Sequence, residues 1–101
     1  MDTYKPQAIS IAGHRLAIKY RKLEDFGEFN IDTKTITIRD SLSPQDTLLT
    51  VLHESSHAML ALSGLSYLLD DEAKEEALVR AIDHLLIPVI KRELKRFNDS
   101  T

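Results

Sequence analysis

Between residues 9 and 38 the apolar side chains recur at every second position, the period of a strand with one face buried. Ile9 and Ile11 flank Ser10; Leu16, Ile18 and Tyr20 alternate with Ala17, Lys19 and Arg21; Ile36 and Ile38 alternate with Thr35, Thr37 and Arg39. Turn-forming residues separate these runs: Gly13-His14, Asp25-Phe26-Gly27, and Asp32-Thr33-Lys34 after Glu28-Phe29-Asn30-Ile31. The pattern predicts an antiparallel meander of three or four short strands.

At Ser43-Pro44-Gln45-Asp46 the period changes. Ser43 is a good N-cap, Pro44 suits the first helical position, and Asp46 can complete a capping box and face the positive end of the helix dipole. The apolar residues that follow, from Leu48 to Leu62, are spread around the cylinder, which predicts a central helix buried on most sides and ended by Gly64. A loop over 63–69 leads to the acidic start Asp70-Asp71-Glu72 of a second helical pattern carrying Ala77, Leu78, Val79, Ile82, Leu85 and Leu86. Pro88 is expected to kink or end it, leaving Lys91 to Arg96 as a last, solvated helical piece and Asn98 to Thr101 as a frayed tail.

Composition narrows the chemistry. The chain has 101 residues, 43% of them hydrophobic and 29% charged, which predicts a single α+β domain over 1–101 with one core. It has no cysteine, so disulfides and thiolate metal sites are excluded, and a bound metal must be held by His, Asp or Glu. A formal net charge of −3 points away from nucleic acid and from an anionic membrane as main partner. The start Met1 to Pro6 lacks a basic end followed by an apolar run, and no stretch approaches the roughly 18 apolar residues of a membrane span, so the expected location is cytoplasmic.

The chemistry is concentrated in Leu52-His53-Glu54-Ser55-Ser56-His57-Ala58-Met59. Four residues apart on a helix, His53 and His57 share a face and can reach one cation. Their neighbours from Val51 to Ala58, Glu54 aside, are uncharged, as suits a helix buried beside a metal. Glu54, next to a metal-activated water, is placed as general base. Catalytic zinc takes three protein ligands, and the third must come from another His or a carboxylate of the second helix. Glu75 shares its face with Leu78, Val79, Ile82 and Leu86, an inward stripe; Glu76 shares its face with Val79, Arg80 and Asp83 and reads as solvent-facing, paired with Arg80. Periodicity therefore favours Glu75 over Glu76.

Together, Gly27-Glu28-Phe29-Asn30, Thr35 to Arg39, the His53 to His57 motif, Glu75-Glu76-Ala77-Leu78-Val79 and Leu85-Leu86-Ile87-Pro88 resemble the gluzincin zinc metallopeptidases. The resemblance is to their small ImmA/IrrE-like and phage or mobile-element members, and covers roughly residues 27 to 88. It implies a zincin-like fold with a motif helix and a second long helix carrying the third ligand. It also implies Zn2+ held by His53, His57 and Glu75, Glu54 as catalytic base, and a peptide or protein substrate. The strand Thr35 to Arg39 would lie beside the cleft and accept an extended peptide by strand addition. No residue matches the family's oxyanion-stabilising His or Tyr; Tyr67 and His84 are weak candidates, and His14 reads as a turn residue. A zinc-binding interaction module of the same fold, without significant proteolysis, is the alternative.

Overall fold

The computed structural model describes residues 4–100; Met1 to Thr3, at the start of the segment read for a targeting signal, and Thr101 of the expected frayed tail lie outside the described residues. The fold is α+β: four strands form a sheet, and a run of helices follows. Strands β1 (Ala8–Ile11) and β2 (His14–Arg21) make a hairpin whose two-residue turn places Ala12 at φ 53° and Gly13 at φ 81°. Both turn residues are left-handed, the geometry that matches strand twist in tight hairpins. His14, read as a turn residue, instead opens β2 paired with Ile11, because the turn needs only Ala12 and Gly13, and its Nδ1 lies 3.0 Å from Lys34 Nζ.

The remaining strands depart from the expected meander. β3 (Gly27–Asn30) and β4 (Thr35–Arg39) are antiparallel, but the sheet order is β1-β2-β4-β3 and β2 runs parallel to β4. The physical reason lies in burial. Ile36 and Ile38 of β4 are fully buried, so β4 needs neighbours on both sides, whereas β3 alternates half-buried Gly27 and Phe29 with exposed Glu28 and Asn30 and is suited to an edge. Position along the chain predicts adjacency only as a tendency. The connection from β2 to β3 is held by Arg39, whose Nε donates to the Leu23 carbonyl at 3.0 Å and whose guanidinium lies 4.8 Å from the centre of the Phe26 ring.

Helix α1 (Pro44–Ser63) packs against β1, β3 and β4. Its ends match the sequence signals. The Ser43 hydroxyl accepts the Asp46 N–H at 3.1 Å, and Gly64 adopts φ 83° with its N–H on the Ala61 carbonyl. Burial is one-sided rather than general: Thr47, Thr50, Val51, Glu54, Ala58 and Leu60 are buried, while Leu49 and Met59 are exposed. Val51 and Ala58 join Leu16, Ile18, Ile36 and Ile38 in the core between helix and sheet.

A 3-10 turn (Leu65–Leu68) leads to helix α2 (Glu72–Ala81), where the Asp71 carboxylate accepts the Lys74 N–H at 2.7 Å. Val79 is its one buried side chain among the described residues. Pro88 does not end the helical path. A π-helical turn (Ile82–Leu86) precedes it, with the Ile87 N–H bonded to the Ile82 carbonyl, and helix α3 (Ile87–Asp99) continues beyond. A π turn supplies the slack that a residue without an N–H demands. The segment expected to fray is helical through Asp99.

Candidate metal centre

Helix α1 presents His53 and His57 toward α2 and the π turn, and Glu54 toward Gly27 of β3. The two imidazoles lie 5.0 Å apart, centre to centre, in an edge-to-face arrangement. Each uses Nδ1 to bind a carboxylate: His53 Nδ1 lies 2.5 Å from Asp83 Oδ2, and His57 Nδ1 lies 2.7 Å from Glu75 Oε2. A carboxylate at that distance accepts a hydrogen bond from Nδ1–H, the tautomer that leaves the lone pair on Nε2. Both Nε2 atoms face Glu76, His57 at 3.1 Å and His53 at 3.5 Å. His53, His57 and Glu76 thus offer three ligand atoms within 4.8 Å of one another, and they are the group of that kind among the described residues.

These distances bear on the choice between the two glutamates. Glu76, which periodicity assigned to solvent, is the carboxylate in contact with both Nε2 atoms; Glu75, the favoured ligand, sits behind His57 on its Nδ1. The expected pair of Glu76 with Arg80 is present only as a 4.0 Å approach. The inward side of the second helix carries Glu76, Val79 and Asp83 together with Glu75, whereas part of the apolar series predicted with Glu75 turns outward. Leu78 and Leu86 of that series are exposed. Asp83 was the residue that sequence reasoning missed, and its signal was its place one turn beyond Val79 on the Glu76 face.

Glu54 is 7% exposed. Burial pushes its carboxyl above the ordinary range, an effect opposed by His53 and His57 and reinforced by Glu76 and Glu28. It borders an open cleft of about 570 Å³ that also meets Gly27, Asp46, Thr50, His57 and Asp83, and a smaller one of about 330 Å³ beside Phe29, Ile31 and Glu75. Gly27 is required at its position: a Cβ there would stand 2.7 Å from Thr50 Cγ2, 3.1 Å from the Thr37 carbonyl and 3.3 Å from Glu54 Cγ. Tyr67 is 91% exposed, and neither it nor the exposed His84 borders either cleft.

The strand beside both clefts is β3, an edge, rather than β4, which is interior and has no free backbone groups to offer a peptide. The Arg39 N–H donates to the Phe26 carbonyl at 2.7 Å, and antiparallel pairing alternates from there. The peptide groups of Glu28 and Asn30 therefore turn toward β4, and those of Gly27 and Phe29 turn outward. Comparison with family models, curated proteins and solved structures returns no match to this chain.

Proposed function

We propose that the protein is a zinc-dependent metallopeptidase of the gluzincin type, with His53, His57 and Glu76 as the metal ligands. The observation that carries this reading is the convergence of both Nε2 atoms on Glu76 while Asp83 and Glu75 hold the two Nδ1 atoms. Imidazole and carboxylate donors in threes suit zinc with a position left open, and carboxylate-backed histidines suit it further. When bound, zinc supplies a Lewis acid that makes a water nucleophilic near neutral pH and polarises a carbonyl.

The chain's own residues do the rest. Glu54, buried and with its pKa raised, accepts the proton of the attacking water and returns it to the departing amine. An extended peptide pairs with the outward groups of Gly27 and Phe29 on β3, which holds its backbone along the line of the two clefts. The test is metal content with turnover. Purified protein is expected to bind about one zinc and to cleave an unstructured peptide, and Glu54→Gln to keep the zinc and lose cleavage. Unchanged cleavage in that variant rejects the assignment.

One observation favours a second reading, a zinc-binding module that captures extended peptides without hydrolysing them. Among the described residues that border the larger cleft, the two proposed ligands His53 and His57 aside, none is His, Tyr, Lys or Arg, side chains suited to stabilise an oxyanion. Retention of zinc and of peptide binding, with no cleavage of a peptide library, selects it.

A further inference from the structure

The two clefts meet at Glu54 and differ in character. The smaller one is bordered by apolar Phe29, Ile31 and Ala61, and its one other acid, Glu75, is held on His57. The larger one is bordered by five carboxylates and by no Lys or Arg. Three of the five are accounted for: Glu76 and Asp83 engage the imidazoles, and Glu54, 7% exposed and without a hydrogen-bond partner among the described residues, borders the cleft as the proposed base. Asp25 and Asp46 are left over. Both are exposed, and neither carboxylate makes an ion pair or a hydrogen bond among the described residues. The backbone sets where they stand. Asp46, Thr50, His53 and His57 recur at three- and four-residue spacing and share one face of α1, with Asp46 about 10 Å from His53 along the axis. Asp25 precedes Gly27 by two residues, at the start of the strand whose outward peptide groups border the site. Exposed Leu49 and Phe26 border the same cleft.

We propose that this end of the larger cleft selects a Lys or Arg side chain of the bound peptide, so that its substrates carry a cation at a fixed place on one side of the reacting bond. A long basic side chain fits both features of the wall: its aliphatic stem lies along Leu49 and Phe26, and its charged head reaches Asp25 and Asp46. An acidic side chain at the same place meets like charge and is rejected. A bound zinc does not reverse the preference, because Glu76 and Asp83 offset its two positive charges and the acids at the far end stay unopposed. The selection rests on the proposed peptide site, whether that site hydrolyses its peptide or only captures it.

The experiment uses labelled, unstructured peptides of one sequence that carry Lys, Leu or Glu at a single position, moved residue by residue along the peptide. Affinity for the zinc-loaded Glu54→Gln protein is read by fluorescence anisotropy, and cleavage by the parent protein is read separately. At one position Lys is expected to bind at least about tenfold more tightly than Glu, the order of a hydrogen bond between charged groups, with cleavage at a fixed distance from that Lys. The double change Asp25→Asn and Asp46→Asn is expected to erase the preference, and Asp25→Asn alone, outside any helix or strand, to reduce it. Glu24→Gln, which removes an exposed acid of the same loop that does not border the cleft, is expected to keep it. Asp46 also faces the dipole of α1, so the readout is the ratio of the two affinities, which a loss of stability alone does not move. Preference for Lys without cleavage supports the selection in a capture site. Peptides that bind equally with Lys and Glu at every position, or a preference that survives the double change, overturn the selection and leave the peptide site standing. Failure of every peptide to bind overturns both.

Discussion

The pairing of each imidazole with its own carboxylate sorts the acidic residues around His53 and His57 into two kinds. Glu76 touches the ring nitrogens that face the shared space, whereas Glu75 and Asp83 touch those that face away. Removing a ligand and removing an orienting partner should therefore differ in degree. Glu75→Gln and Asp83→Asn are each expected to weaken zinc binding about 10- to 100-fold, and Glu76→Ala by more, measured by competition with a chromophoric chelator. If Glu75→Gln is the most damaging of the three, the ligand is Glu75 and the ordering proposed for these residues fails.

Glu54 makes a different prediction, about the metal-free protein. Its carboxyl is raised from the ordinary 4.5, chiefly by burial, so the folded state keeps that proton to higher pH than the unfolded chain does. The stability this contributes is whole below the ordinary carboxylate range and is lost as pH rises through the raised pKa. Metal-free Glu54→Gln should then be more stable than the parent at neutral pH, with the gap closing as pH falls, read from urea midpoints between about pH 4 and about pH 8. A gap that widens toward acid contradicts the assigned direction. What could be read from the chain at this scale was the motif itself, because a four-residue spacing on one capped helix is local. The distinct contacts of Glu75, Glu76 and Asp83 depended on the packing of another helix, 18 to 30 residues away, which apolar periodicity does not resolve between adjacent glutamates.

Among the elements, α1 was legible because its signals are short-range: a serine cap, a proline at the start, a glycine in the left-handed region at the end. The strands were legible one by one and their order was not. Alternation tells which residues share a face, and it says nothing of which strand lies beside which; the full burial of Ile36 and Ile38 is what demands a central β4. Two substitutions test how elements position the site. Gly27→Ala forces a methyl to 2.7 Å from Thr50 Cγ2 and is expected to cost about 1–3 kcal/mol by urea unfolding, with β3 displaced from α1. Val79→Ala removes the buried side chain that stands between Glu76 and Asp83 on their shared face. The loss of two buried methyl groups costs about 1.6 kcal/mol in transfer free energy before any cavity contribution. It should also weaken zinc binding although Val79 offers no ligand atom. A Val79→Ala protein with reduced stability and unchanged zinc affinity would show that α2 is held in place by other contacts.

At the scale of the molecule, the proposed metal centre would also be a fastening. The sheet and α1 enclose the main core, while α2 contributes only Val79 as a buried side chain among the described residues, and the approach of α2 and the π turn to α1 is marked by the carboxylate–imidazole contacts. A dication bound by His53, His57 and Glu76 would join these two parts, and could do so only in the folded chain. Binding to the native state alone adds about 2.7 kcal/mol at a free zinc concentration 100 times the dissociation constant. At roughly 4–8 °C per kcal/mol for a domain of this size, the melting temperature should rise by more than about 10 °C. A chelator should reverse the rise, and His57→Ala should abolish it. This measurement needs no substrate, so it separates the metal centre from the peptidase chemistry built on it. A melting temperature indifferent to zinc removes both catalytic and capture readings together, whereas a zinc-dependent rise without peptide cleavage leaves the capture module standing. Because Leu94 of α3 is exposed and away from the proposed ligands, Leu94→Asp should show the same rise as the parent protein.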